Sequence, residues 1–242
     1  MCYAKTLSKN KDFIKQDLHK EFAIPLEFQP YYHVNGFAHP NLQIIKMDEP
    51  DTIYPAEWGL VPNYGMSDIL KFRKSYNTLN AKSETLFKSN TYKHLAQSQR
   101  CLILADGFFE PHHNNDISTP YFCYIPHKAN NDGRALFMFA GLYTQIDKTA
   151  DYYTTTIITT EANEFFAEVH NKKKRMPLVL DEQLYGEWFG TNHTEKTLSD
   201  LMKHGFTSQT FNAHPVSNDI YKRGINNNTS KVLVEVPKTT LF

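Results

Sequence analysis

The sequence predicts an α+β fold: a curved, mostly antiparallel β-sheet or barrel flanked by helices, in one domain over residues 1–242. Three observations carry the prediction. Strand-like runs outnumber helical ones and lie next to one another in the chain, which suits an antiparallel or mixed sheet with helices packed outside. The stretches between neighbouring runs are polar, as hairpin connections are. No linker divides the chain, and its 242 residues fit one large domain on a prior of roughly 150 residues per domain.

Residues 12–21 read as a short amphipathic helix, ended by Pro25 and Pro30. Residues 41–47 carry Leu42, Ile44 and Ile45 and read as a strand. Trp58-Gly-Leu-Val-Pro62 is an apolar strand end running into a turn with Gly and Asn. Residues 83–100 look helical, with Ser83 or Thr85 as the N-cap. Strand-like runs follow at 101–105, 121–125 and 135–143, separated by polar hairpin loops at 111–120 and 126–133. Residues 152–160 form a Thr/Ile run of high β propensity. Helices are expected at 161–170, 181–189 and 194–204, and a closing strand at 231–236.

Composition narrows the function classes. A hydrophobic fraction of 40% with 21% charged residues supports a real core and excludes wholesale disorder. Lys+Arg and Asp+Glu both total 26, so bulk charge alone cannot hold long stretches of nucleic acid. A polyanion contact must come from a local patch or from chemistry. Three cysteines do not make a disulfide scaffold. No stretch approaches the roughly 20 apolar residues of a membrane span, and the amino terminus has no apolar signal-peptide run. A cytoplasmic protein is therefore expected. The 11 histidines and 14% aromatic residues suit a chemically busy cleft.

Four segments can carry chemistry. The small Cys2 side chain favours removal of Met1, which leaves an α-amine and a thiol on one residue. Their reference pKa values, about 7.7–8.0 and about 8.5, make both partly nucleophilic near neutrality. Together they can condense with an aldehyde and close a thiazolidine. Position alone favours the plainer reading, an incidental residue on a frayed terminus. Asn80 and Lys82 lie two apart and share a face if extended, able to hold a phosphate or orient a carbonyl, unless they are an ordinary polar turn. Glu110 follows Phe108 and Phe109, so desolvation can raise its pKa toward proton transfer; the other reading is a surface carboxylate. His170 ends an expected helix before Lys172, Lys173, Lys174 and Arg175: either an acid/base with a phosphate grip, or cations placed at a helix C-terminus. His112 and His113 beside Glu110 lack a zinc spacing, and no metal is expected. Cys101 and Cys123 read as core thiols.

In order along the chain, these segments resemble the SOS response-associated peptidase family of abasic-site processing proteins. The resemblance rests on Met1-Cys2, Trp58-Gly-Leu-Val-Pro62, Asn80-Ala-Lys-Ser-Glu-Thr85 and Arg100-Cys-Leu-Ile-Leu-Ala-Asp-Gly-Phe-Phe-Glu110. It continues through Phe139-Ala-Gly-Leu142, Thr159-Thr-Glu-Ala-Asn163, His170, Arg175-Met-Pro177 and His214-Pro-Val-Ser217. Each motif is weak, whereas the ordered set is specific. It implies a curved sheet with a positively charged groove, and covalent attachment to abasic sites in single-stranded DNA. By matched position Cys2 is the crosslinking nucleophile, Asn80 orients the terminus and sugar, and Glu110 shuttles protons. His170 assists ring opening and crosslink release. Lys82, Tyr64, Pro40 and Arg175 would line the DNA path, with Lys82 where the family usually has Arg and Tyr64 where it has a stacking Trp.

No cofactor, no metal and no membrane are expected, chemistry carried by one chain's terminus suits a monomer, and the expected site of action is the nucleoid on damaged DNA. Weak strand cleavage and self-removal of Met1 are secondary expectations. Two other readings stay open: a cysteine peptidase built on Cys2 and His170, and a non-covalent reader of DNA ends or modified bases. The chain departs from the family pattern in three places. Tyr3, Ala4 and Lys5 follow Cys2, so an early Arg contact is lost or moved to Lys5. Pro111 replaces the usual aromatic. Lys172, Lys173 and Lys174 are inserted between His170-Asn171 and Arg175-Met176, a lengthened basic loop.

Overall fold

The structure is a computed structural model that describes residues 2–115, 117–147, 149–204, 210–222 and 224–237. The chain opens with β1 (Ala4–Leu7), buried throughout, and α1 (Lys11–Leu18). The Asn10 side chain caps α1 by accepting from Phe13 N at 2.8 Å, and His19 ends it in the left-handed region at φ 52°. Next come β2 (Glu21–Phe22), β3 (Tyr31–Asn35), β4 (Asn41–Lys46), β5 (Glu49–Trp58), α2 (Ile69–Ser75) and β6 (Asn80–Lys82). The middle of the chain is α3 (Leu95–Ser98), β7 (Arg100–Ala105), β8 (Gly107–Asn114), β9 (Ile117–Tyr124), β10 (Phe137–Asp147) and β11 (Tyr152–Glu161). It ends with α4 (Glu164–Val169), β12 (Arg175–Pro177), β13 (Val179–Leu180), α5 (Tyr185–Phe189), α6 (Glu195–His204) and β14 (Asn212–Pro215).

The expected curled sheet is present. β11, β10, β7, β4 and β5 are hydrogen-bonded neighbours, and β5 returns to pair in parallel with β11 through Ala56 opposite Tyr153 and Trp58 opposite Thr155. This pairing closes a five-stranded ring, so none of those strands presents an unpaired edge. Side chains alternate between two apolar clusters, as period-two strands require. Ile44, Ile103, Phe139 and Ile157 enter one cluster; Ile45, Leu102, Met138 and Ile158 enter the other. Both faces are therefore covered, which explains the unbroken apolar run of β7. A second sheet runs β14-β9-β8-β1-β3, with β8 at its centre and β1 between β8 and the edge strand β3.

Three expectations are corrected. The loop expected at 111–120 is instead the tip of the β8–β9 hairpin, with Pro111 opposite Pro120 and His113 opposite Ser118. Its polar residues pair because the preceding register carries them onward, not because of apolar pattern. Residues 83–100 do not form one helix: Ser83–Lys88 is 3₁₀, Ser89 is extended, and only Leu95–Ser98 is α-helical. Neither Ser83 nor Thr85 acts as the N-cap; Lys82 holds that position without a side-chain cap bond. The closing strand expected at 231–236 is replaced by a 3₁₀ turn at Ser230–Leu233, while Asn212–Pro215 takes the sheet position beside β9. Among the described residues no helix is long and apolar enough to cross a membrane.

Candidate active site

The amino terminus is held rather than frayed. β1 pairs on one side with β3 and on the other with β8, through Ala4 opposite Asn35 and Phe109. Gly36 N donates to the Tyr3 carbonyl at 2.8 Å. Asn80 Nδ2 donates to the Cys2 carbonyl at 2.9 Å. These bonds bury Cys2 completely, against a cluster that includes Trp58, Leu79 and Phe108. Burial pushes the Cys2 thiol well above its ordinary value, and the charge of Glu110 adds to the rise. Met1 lies outside the described residues.

Asn80 is placed by β6, which pairs in parallel with β11 through Asn80 opposite Ile157. The Trp58 indole clips the segment just before it by donating to the Leu79 carbonyl at 2.8 Å. Trp58 in turn ends at Gly59, whose φ of 120° and closeness to His39 leave no room for a side chain: a Cβ there would lie 2.6 Å from His39 Nδ1. Asn80 Oδ1 is buried and has no hydrogen-bond partner among the described residues.

Glu110 lies on β8, opposite Tyr121, and is fully buried. Desolvation raises its carboxyl to about 7. Burial raises the Tyr3 hydroxyl and the Cys123 thiol, and the charge of Glu110 adds to both. His170 follows α4 directly, with its backbone N–H donating to Phe166 O at 2.8 Å. Its Nδ1 lies 3.1 Å from Glu110 Oε2 and 3.0 Å from the Arg175 carbonyl. When Glu110 is ionised both neighbours are acceptors, so Nδ1 carries the ring proton. Burial lowers the imidazole to about 4. Beside this pair opens a cavity of about 390 Å³, lined by Tyr3, His113, His170, Lys172, Lys173 and Tyr221 among others.

Cys2, Asn80, Glu110 and His170 thus come from four separated segments and meet at one place. Residues 1–223 match the family described as SOS response associated peptidase. The chain belongs to that family. It is 31% identical over 220 residues to the abasic site processing protein YoaM of Bacillus subtilis, covering 90% of this chain and 91% of that protein. It is 30% identical over 196 residues to the abasic site processing protein HMCES of Gallus gallus, covering 74% of this chain and 56% of that one. A crystal structure of a protein from Bacteroides thetaiotaomicron superposes with a TM-score of 0.79 at 23% identity, covering 98% of this chain and 100% of that chain. It shares the fold.

The four residues matched to the SOS response associated peptidase family as DNA contacts are dispersed. Lys82 ends β6, exposed and without a carboxylate partner among the described residues. Tyr64 is 58% exposed; its hydroxyl lies 2.8 Å from Thr91 Oγ1 and its ring stands edge-on to Phe72. Pro40 precedes β4 and accepts from Trp58 N through its carbonyl at 2.9 Å. Arg175 is engaged: its guanidinium holds Glu84 at 2.7 and 3.0 Å and the Thr159 carbonyl at 2.9 Å. Lys5 does not replace the early Arg. It is fully buried, donates to Tyr31 Oη at 2.9 Å and to the Leu104 carbonyl, and is lowered to about 7 by desolvation. Cys101 and Cys123 are buried free thiols.

Tyr3, read in the sequence only as a departure from the family pattern, lines the cavity, and two exposed aromatics went unread. Tyr3 packs on Phe37 with ring centroids 5.0 Å apart, and Phe37 is 61% exposed. Tyr76 stacks on Phe72 at 5.0 Å and is largely exposed. Tyr76 lies four positions before Asn80 in the sequence, and an aromatic there was the available signal. Tyr221 carried none, and His113 was weighed only against a zinc spacing.

Proposed function

We propose that the protein processes abasic sites in DNA by attaching to them covalently through mature Cys2. The observation that supports this reading is the fixed placement of Cys2 against Asn80, at 2.9 Å, beside the buried Glu110–His170 pair. Cys2 and Glu110 are buried close together, and His170, which contacts Glu110, lines the adjoining cavity.

The chemistry follows in two additions. The Cys2 α-amine, exposed by loss of Met1, attacks C1′ of the ring-opened sugar, and the carbinolamine loses one water to give an imine. The thiol then adds across the C=N bond, its proton ends on nitrogen, and a thiazolidine results. The burial that raises the thiol makes the amine the first nucleophile. Glu110, near 7, exists in both protonation states at neutral pH, so it can protonate the departing hydroxyl and accept the thiol proton. His170, neutral with Nδ1 held, offers Nε2 to the sugar O1 proton during ring opening and returns it on release. Asn80 positions the Cys2 carbonyl, and its unpartnered Oδ1 suits a hydrogen bond from the amine or a sugar hydroxyl. Tyr64, Pro40 and Lys82 supply stacking and phosphate contacts to single-stranded DNA, with weak strand cleavage through the imine. A monomer suffices, since one subunit holds every group named.

The geometry weighs against repeated peptide cleavage. A cysteine peptidase needs a depressed thiol pKa and a histidine aimed at sulfur. Here the thiol is raised, and His170 Nδ1 faces Glu110 and the Arg175 carbonyl. The test mixes mature protein with an oligonucleotide bearing one abasic site and resolves it on a denaturing gel. The expected slow band disappears in Cys2→Ala; its absence in wild type, or persistence in the variant, overturns the reading.

A further inference from the structure

The inserted basic loop is built into the cavity wall. Asn171 clamps it to β8, donating from Nδ2 to the His113 carbonyl at 2.7 Å and accepting from His113 N at 3.0 Å. Lys174 closes the turn at φ 47°, its N–H donating to His170 O at 2.8 Å. Between these anchors Lys172 and Lys173 line the cavity, whereas Lys174 does not. Neither ammonium is paired with a carboxylate among the described residues, in contrast to Arg175 on Glu84. Among the described residues lining the cavity none is Asp or Glu. His113 also lines it, and its buried Nδ1 has no partner among the described residues. Ser118 and Tyr221 add hydroxyls. The charge of Lys173 bears on both Glu110 and His170, which places it close to the reacting groups.

We propose that Lys172 and Lys173, with His113, form a phosphate subsite in the chamber that His170 and the Cys2 neighbours Tyr3 and Ala4 also line, and that the protein therefore also traps free phosphorylated sugar aldehydes such as 2-deoxyribose 5-phosphate. The proposal rests on the covalent reading above and names which phosphate contact serves it. Two ammonium groups and an imidazole on one chamber, with no carboxylate among its described lining residues, match the oxygens of a single phosphate. A chamber of about 390 Å³ takes one sugar phosphate without needing a strand on either side. The covalent step balances as before: the aldehyde oxygen leaves as one water, and no oxidant or reductant enters.

The test follows the intact mass of mature protein exposed to 2-deoxyribose 5-phosphate or to unphosphorylated 2-deoxyribose. Wild type is expected to gain the sugar mass less one water from both, but about tenfold faster from the phosphate, the factor of one charge-assisted contact. In Lys172→Ala/Lys173→Ala the preference should vanish while reaction with 2-deoxyribose persists; Lys172→Arg/Lys173→Arg should keep it. Equal rates in wild type, or an unchanged preference in the alanine variant, overturn the subsite. No adduct from either sugar counts against the covalent reading instead. The subsite is then decided by calorimetric titration with inorganic phosphate, which should bind wild type and fail to bind the alanine variant; equal behaviour of the two rejects it.

Discussion

His170 Nδ1 lies 3.1 Å from Glu110 Oε2, and neither side chain reaches solvent. The contact joins the end of α4 to the middle of β8 and leaves a carboxyl near 7 beside an imidazole near 4. Between those values both groups are neutral, which is how a buried acid and base sit together without a buried charge.

Glu110→Gln keeps the shape and removes the titrating proton. Crosslinking should slow by about 10²-fold or more, the usual contribution of general acid–base catalysis. The wild-type rate should also show an inflection near pH 7 that the variant lacks. Single-turnover crosslinking from pH 5.5 to 8.5 reads both; an inflection retained in the variant would assign it to another group.

Stability should depend on pH with opposite signs at the two residues. The Glu110 pKa is raised on folding, so the folded state is penalised as pH climbs from the ordinary carboxylate range through about 7. Glu110→Gln should therefore stabilise more at pH 8 than at pH 5. The His170 pKa is lowered, so stability is lost as pH falls from about 6.5 toward 4. His170→Gln should lessen that acid loss. Thermal melts of the three proteins across pH 4 to 8 settle both signs, and parallel curves would contradict them.

Asn80→Ala removes the donor to the Cys2 carbonyl and leaves that carbonyl less well held. The stability loss should be about 1 kcal/mol, typical of one hydrogen bond. The maximal crosslinking rate at saturating DNA should fall while apparent affinity changes little, because the residue positions the nucleophile. A pure affinity defect would place Asn80 on the strand instead.

Arg175→Ala should behave as a structural variant. Its guanidinium bridges Glu84 and β11, and Glu84, which burial would raise, sits below its ordinary value because Arg175 holds it. A double-mutant cycle with Glu84→Gln should return a coupling of roughly 1 kcal/mol, limited by partial exposure of the carboxylate. Lys82→Ala, by contrast, should leave stability unchanged and lower the salt slope of single-strand binding by about 0.7. The reverse pattern would move the phosphate contact to Arg175.

Much of the fold was legible in local pattern. The apolar run at 101–105 and the Thr/Ile run at 152–160 each formed a strand close to its expected bounds, and the amphipathic helix expected at 12–21 formed at Lys11–Leu18, ending before the short strand at Glu21–Phe22. The types and chain order of Cys2, Asn80, Glu110 and His170 were also in the sequence, because their chemistry resides in the side chains. What tertiary structure alone decided was neighbourhood. Closure of the ring through β5 and β11 joins residues about a hundred positions apart, which no local period encodes. Lys5 and Arg175 look like free cations in the sequence, yet one is buried under Tyr31 and the other held by Glu84, while Lys172 and Lys173 face the cavity. A side chain brings its charge with it; which partner neutralises that charge, and whether water reaches it, depends on segments distant in the chain.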